Sequence, residues 1–328
     1  MNAPGVYLTH YLSSLAPYLA RTDVTDIYIN RSYEIWVETL GGAIEQHHID
    51  ALDQLSLDRL ARQVAAYSHQ GINREHPLLT ASLPDSARIQ IALPPATRGD
   101  IAIAIRKHVV ADLTLDAIAA SDGFEPVAKT GTHTKIDGKL QMLRNKGAFA
   151  DLLKLAVQSR CNILVSGGTS TGKTTFLNAL LKEVDQHERL ILIEDTPELI
   201  ISHQNAFGML AARSALGESV VSMEDLLNAS LRMRPDRIIL GELRGPEAFT
   251  FLRAVNTGHP GSMTTIHADS PSRAVEQLVL LVLQSGTHLD RASIAHYVHS
   301  SIDVFVQLGR RGGKRTVSEI LLRGDVGQ

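Results

Sequence analysis

The sequence predicts an α/β fold, with a mainly parallel sheet covered by helices on both faces and a smaller mixed α/β domain before it. Three observations carry this. From residue 148 onward, short apolar runs alternate with helix-spaced segments, as in β–α units. Before residue 120, apolar and polar residues alternate one by one and are joined by short polar turns, which suits antiparallel strands. Between them, a polar, glycine-bearing stretch reads as a linker with some local structure. The expected division is an N-terminal domain at 1–120, a linker at 121–147 and a second domain at 148–328.

The elements follow in order. Leu8, Leu12, Leu15 and Leu19, with Tyr11 and Tyr18, predict one amphipathic helix over 8–19. Asp26–Asn30 and Glu34–Glu38 alternate as strands, and Leu57, Leu60 and Val64 give helical spacing over 56–67. Ala87–Leu93 and Ile101–Ile105 form a hairpin around Pro94–Asp100. In the second domain, strands are expected at 162–166, 189–194, 237–241, 262–267 and 302–308. Helices are expected at 148–159, 172–183, 223–233, 246–256, 271–284 and 290–299.

Bulk properties narrow the class. The 328 residues suffice for two sizeable cores. A hydrophobic content of 44% with 20% charged residues is ordinary for a soluble globular protein. A net charge of −3 argues against a general electrostatic pull toward nucleic acid or anionic membrane. The single cysteine, Cys161, precludes an internal disulfide and reads as a small buried hydrophobe. The N-terminus lacks the basic region of a signal peptide, and the longest apolar run, Leu278–Leu283, is too short to span a bilayer. A cytoplasmic location is expected.

The chemistry centres on Gly167-Gly168-Thr169-Ser170-Thr171-Gly172-Lys173-Thr174, followed by Thr175. This is the P-loop pattern, and it lies where its mechanism needs it, between the apolar run Ile163–Val165 and a helical segment. Glycines let the backbone wrap a phosphate chain. Backbone N–H groups at a helix N-terminus then face it with partial positive charge. Lys173 would reach the β- and γ-phosphates of ATP, and the Thr174 hydroxyl would bind Mg²⁺.

Three further strands end in chemistry at the same sheet edge, where ligands bind in such sheets. Arg189–Glu194 leads into Asp195-Thr-Pro-Glu198, and Glu194 there could hold Mg²⁺ through water or orient the attacking water. The alternative is an acidic strand-end turn. Ile238-Ile-Leu240 leads through Gly241 to Glu242, which suits a general base for water and hence hydrolysis. The alternative is a surface glutamate paired with Arg244. His267 ends a third strand and could donate a hydrogen bond to the γ-phosphate or its water, whereas His259 should sit at the strand's other end.

With these segments together, the chain resembles the secretion ATPases of type II and type IV secretion and pilus dynamics. The resemblance rests on the P-loop, the acidic box Glu194–Glu198, an atypical Walker B at Ile238–Glu242 and a histidine box at Gly258–Asp269. Leu231–Gly245 and Asn256–His267 are most similar to the type IV traffic ATPases of conjugation and effector export. The tetracysteine zinc motif of many type II members is missing. The match is specific over roughly 145–275 and weak before residue 85. It implies a RecA-like ATPase domain under the N-terminal domain, ATP bound between the two, and a hexameric ring. It also implies docking on inner-membrane components of a secretion channel, and no specific nucleic-acid binding is expected.

Register adds two residues. If Leu93 faces Ile101 across the hairpin, then Ile91 faces Ile103, Ile89 faces Ile105 and Arg88 faces Arg106. Like charges directly opposite on a sheet are unfavourable unless an anion lies between them. The family places N-terminal-domain arginines near the γ-phosphate in comparable segments, and Arg88 and Arg106 fit; two solvated arginines are the alternative. Three rivals share parts of this reading: a pilus assembly or retraction ATPase, a nucleotide-binding scaffold without obligatory turnover, and a DNA-translocating motor. Glu242 argues against the scaffold, and the lack of a basic stripe argues against the motor.

Overall fold

The computed structural model describes residues 6–107, 133–212 and 216–325. The chain opens with two short helices, α1 (Val6–Leu12) and α2 (Ala16–Leu19), where the spacing predicts one. Pro17 is the reason. It sits in the first turn of α2, where its missing N–H costs nothing, and it would break a continuous helix. Leu8, Leu12 and Leu15 still bury together.

The first sheet contains β1 (Val24–Ile29), β2 (Glu34–Thr39), β3 (Ile44–His48), β4 (Leu78–Ser82), β5 (Arg88–Ala92) and β6 (Ala102–Arg106). Its order is β3-β2-β1-β6-β5-β4, and every pairing is antiparallel. Helix α3 (Gln54–Tyr67) is capped by Asp53, whose side chain accepts from Ser56 N. The hairpin register is the predicted one: Ile89 pairs with Ile105, Ile91 with Ile103 and Arg88 with Arg106. Period two separates the faces. Ile27, Ile29, Ile89, Ile91, Ile103 and Ile105 pack with Leu57, Leu60 and Val64 of α3. The opposite face carries Tyr28, Ala92, Ala102 and Ala104, which join the core of the second half. The alanines bring that sheet close to its neighbour.

The second half contains α4 (His133–Asn145), α5 (Phe149–Gln158), β7 (Ile163–Gly167), α6 (Lys173–Leu181), β8 (Leu190–Glu194) and β9 (Ala206–Leu210). It continues with α7 (Met223–Ser230), β10 (Arg237–Leu240), α8 (Glu247–Asn256), β11 (Met263–Ile266), α9 (Pro271–Gln284), α10 (Arg291–Ser301), β12 (Val304–Arg311) and β13 (Lys314–Leu322). The sheet order is β13-β12-β7-β11-β10-β8-β9, parallel except for the β12–β13 hairpin. Part of the stretch expected as a linker, residues 121–132, lies outside the described residues. Within the remainder, α4 contributes Leu140 to the core around β7, so this segment packs with the second half.

Four strands lacked a readable signal. β3 and β13 are largely exposed edge strands without apolar alternation, and β4 and β9 are short apolar runs beside a proline or around a glycine. Strand β9 matters most, because it is the edge on which the N-terminal domain docks. Thr97 bridges to Met209, Arg98 N donates to Gly208 O at 3.0 Å, and Leu210 N donates to Ala96 O at 2.9 Å. Asn30 Nδ2 also donates to Asn205 Oδ1 at 2.9 Å, and Arg189 stacks on Tyr28 with its guanidinium carbon 4.1 Å from the ring centre.

Candidate nucleotide site

Strand β7 is fully buried and delivers the chain to a loop of tight geometry. Ser170 and Gly172 take positive φ, at 60° and 92°. A Cβ on Gly167 would stand 2.4 Å from Thr171 Oγ1, so only glycine fits there. Thr171 Oγ1 donates to Gly168 O at 2.8 Å and closes the loop. Helix α6 begins after Gly172 with no side chain capping its first turn. Its leading N–H groups therefore lack intrahelical partners and suit an anion.

Lys173 reaches across this loop. Its Nζ donates to Gly167 O at 3.2 Å and lies 3.4 Å from Glu242 Oε1. Burial lowers the Lys173 pKa, while Glu242 pulls it the other way. Glu242 leaves the end of β10 and is nearly enclosed, with 12% of its side chain exposed. His267 Nε2 stands 2.9 Å from the same Glu242 oxygen. Arg244 Nε donates to the other oxygen at 2.6 Å, and Arg244 Nη1 reaches Asp195 at 2.7 Å. The surface pairing weighed for Glu242 is therefore present, but it is one contact of several.

Gly241 occupies the place where P-loop enzymes commonly carry an aspartate. A Cβ here would come within 3.0 Å of Glu194 Cγ. The glycine thus makes room for Glu194 and hands the acidic function to the next residue.

Glu194 is placed differently from its expected role. Its carboxylate is buried, with 3% of the side chain exposed. One oxygen accepts from Glu198 N at 2.9 Å and Leu199 N at 2.8 Å, and the other pairs with Arg98. This leaves it poorly placed to hold a metal through water. Glu198 lies beside Thr174 instead, its Oε2 accepting from Thr174 Oγ1 at 2.8 Å.

The pocket between these groups has a volume of about 450 Å³, within the range of small-molecule sites. It is lined by Gly168 to Thr175, Glu194, Glu198, Glu242, Arg244, His267 and Arg315, among others. Its donors suit a triphosphate: uncapped N–H groups, one part-buried ammonium, and a hydroxyl beside a carboxylate for a hard cation. Arg315 enters from β13, where its Cδ would lie 2.9 Å from a Cβ on Gly172. Nothing in its local sequence marks it, because β13 itself was illegible.

Arg88 and Arg106 lie elsewhere. They pair as predicted, but they line a separate pocket with Arg232, Arg234 and His259, at the amino ends of the parallel strands. The length of a five-residue strand, roughly 16 Å, separates the two ends. No residue of the described N-terminal segment 6–107 lines the phosphate pocket. Among the described residues the second half alone lines the phosphate pocket, while the N-terminal sheet docks on β9 and the amino ends of β8 and β10 and touches the pocket's wall through the Arg98–Glu194 pair.

A family model described as Type II/IV secretion system protein matches residues 11–312. The chain belongs to this family. It is 38% identical to the type IV secretion system protein VirB11 of Bartonella henselae, over 94% of this chain and 91% of that protein. It is 37% identical to the type IV secretion system protein PtlH of Bordetella pertussis, over 95% and 94%. Among solved structures, the VirB11 ATPase of Brucella suis, in complex with sulphate, superposes with a TM-score of 0.90 at 34% identity, covering 97% of this chain and 95% of that one. Family membership thus extends through the N-terminal region, where the motif resemblance is weak. The superposition also covers both domains in their present arrangement.

Proposed function

We propose that the chain is an ATP hydrolase whose turnover powers assembly of, or transport through, a type IV secretion channel. The observation that carries this is Glu242, nearly enclosed at the mouth of the P-loop between Lys173 and His267. A carboxylate so placed accepts a proton from water as the water attacks the γ-phosphate. Lys173 would leave Glu242 for the phosphate oxygens when nucleotide enters. His267 shares the same Glu242 oxygen and would turn to donate to the γ-phosphate, which frees the oxygen for the water while Arg244 holds the other. Thr174, with Glu198 beside it, would hold Mg²⁺, which neutralises charge on the β- and γ-oxygens. The closeness to the VirB11 and PtlH proteins favours the type IV branch over a pilus motor.

The working unit is a ring, hexameric as in the family. Arg88 and Arg106 support this reading. Arg88 has no ion pair or hydrogen bond through its side chain among the described residues, and its pocket faces away from the chain's own P-loop. In a ring such a face would meet the phosphate end of the next subunit, where two arginines would stabilise transition-state charge. The ring docks on inner-membrane components of the channel; no helix among the described residues is long and apolar enough to cross a membrane.

Steady-state hydrolysis of Mg²⁺-ATP by the purified chain tests the reading, with and without DNA. Turnover unaffected by DNA is expected. Absence of hydrolysis in an assembled, folded ring would sink it.

A further inference from the structure

The loop that docks the N-terminal domain carries an arginine that the hydrolysis chemistry does not use. Arg98 lies in the β5–β6 connection, its backbone bonded to the β9 edge. Its side chain runs flat over Gly208. A Cβ on Gly208 would meet Arg98 Cδ and Nε at 2.5 Å, so the glycine is the groove that admits the guanidinium. At the far end the planar fork grips two acceptors. Nη1 donates to Leu199 O at 2.7 Å, and Nη2 pairs with Glu194 Oε2.

Both acceptors belong to the segment that meets the P-loop. The other oxygen of Glu194 holds the N–H groups of Glu198 and Leu199. Glu198 in turn holds the Thr174 hydroxyl, and Asn178 of α6 is tied to Glu198 O at 3.3 Å and Ile200 N at 2.8 Å. A continuous set of polar contacts therefore joins the N-terminal domain to the threonine that would bind Mg²⁺. Mg²⁺ taken by a lone pair of the Thr174 hydroxyl would leave its O–H on Glu198 and draw that carboxylate, with its segment, toward the metal. The 198–200 segment then shifts or turns, and Arg98 holds that segment by both its backbone and its acidic anchor.

We infer that Arg98 is a positioning residue that couples Mg²⁺-ATP binding at Thr174 to the posture of the N-terminal domain. This rests on the proposed role of Thr174, Glu198 and ATP. The guanidinium suits it because one rigid group makes two contacts at once, whereas an ammonium keeps the charge and loses the fork.

The test uses the full chain carrying Glu242→Gln, so that nucleotide binds without turnover. Arg59 and Ser272, exposed in the two halves, are replaced by cysteine for spin labels, and labelled chains are diluted into unlabelled ones. Arg98→Lys is the first variant. Gly208→Ala is the second, since its methyl group displaces Arg98 without touching any charge. The parent distance distribution is expected to change on adding Mg²⁺-ATP, and both variants are expected to lose that change. In the catalytically intact background, KM for Mg²⁺-ATP should rise on the order of tenfold with a smaller change in kcat, the scale of one lost charge-assisted hydrogen bond. A merely structural role would lower the melting temperature and leave KM and the distance response intact. An unchanged nucleotide response in folded Gly208→Ala, or no response in the parent, overturns the inference. Fluorescent-nucleotide titration separates this from failure of the functional reading, in which the parent would bind no ATP.

Discussion

Lys173 and His267 meet on one oxygen of Glu242, with Nζ at 3.4 Å and Nε2 at 2.9 Å. A helix start and two strand ends converge there, and Lys173 and His267 are free to turn to a phosphate. The geometry separates Glu242 from Glu194, the other acid at this edge. Glu242 Oε1 is held by groups that a nucleotide would draw away, whereas Glu194 is held by backbone and by Arg98, which it would not.

Glu242→Gln should therefore retain ATP binding and lose hydrolysis, since the amide keeps the shape but accepts no proton. Glu194→Gln should instead act on stability, because it leaves Arg98 buried beside a neutral partner, a class of change that costs about 3–5 kcal/mol when one partner is removed outright. Single-turnover hydrolysis and thermal melts on both variants check this. Stalled turnover with an unchanged melt in Glu194→Gln, alongside an active Glu242→Gln, would reverse the assignment.

Lys173→Ala should abolish turnover, because it removes the main charge on the β- and γ-phosphates. The variant should also fold normally, as a partly buried ammonium is no pillar of the core. Near wild-type hydrolysis in the purified variant would refute the P-loop assignment.

Gly241→Ala should reduce activity without touching a catalytic group. Its methyl would press on Glu194 Cγ, at 3.0 Å, and merely touch Ile193 O, at 3.6 Å. Overpacking of this kind costs about 1–3 kcal/mol and would tilt Glu242. A melt and kcat both equal to wild type would show that Glu194 yields freely.

Arg88 and Arg106 can be assigned by mixing. Each Ala variant should lose on the order of 10³-fold in kcat if the charge meets the transition state, by analogy with arginine fingers. When Arg88→Ala chains assemble with Lys173→Ala chains, some interfaces unite an intact P-loop with an intact Arg88 from its neighbour. Activity should then reappear. Mixtures that stay as inactive as the parents would confine the arginines to their own subunit or to the solvated surface.

His259 sets an acid limit. Burial lowers its pKa from the ordinary 6.5. The folded state thus binds fewer protons than the unfolded one over that interval, so stability rises with pH through it. Falling pH removes stability from about 6.5 downward, and the loss levels off below the folded-state value. His259→Asn should flatten the difference in melting temperature between pH 7 and pH 5. Parallel curves for the two proteins would exclude the residue.

The sequence by itself determined what local chemistry can encode. The P-loop between strand and helix, the acids at two strand ends and the histidine at a third were readable because each depends on residue type and on period. So was the hairpin register, since facing Leu93 with Ile101 across the turn sets two isoleucine pairs on the same core face. Leucine spacing alone predicts one helix over 8–19, and Pro17 divides it into two. What tertiary structure decided lies between elements distant in sequence. Glu194 and Glu242 look alike at the ends of apolar strands. Only packing reveals that Arg98, 96 residues before Glu194, occupies the first and leaves the second to Lys173 and His267. Strand β9 is buried but is a short apolar run broken by Gly208, and edge strand β13 is largely exposed, so neither the docking of the N-terminal domain nor the approach of Arg315 to Gly172 is legible in the sequence. The arginine pair shows both halves of the lesson. Register places Arg88 against Arg106 by a local rule, while the end of the molecule on which they sit follows from how two sheets bury their faces against each other.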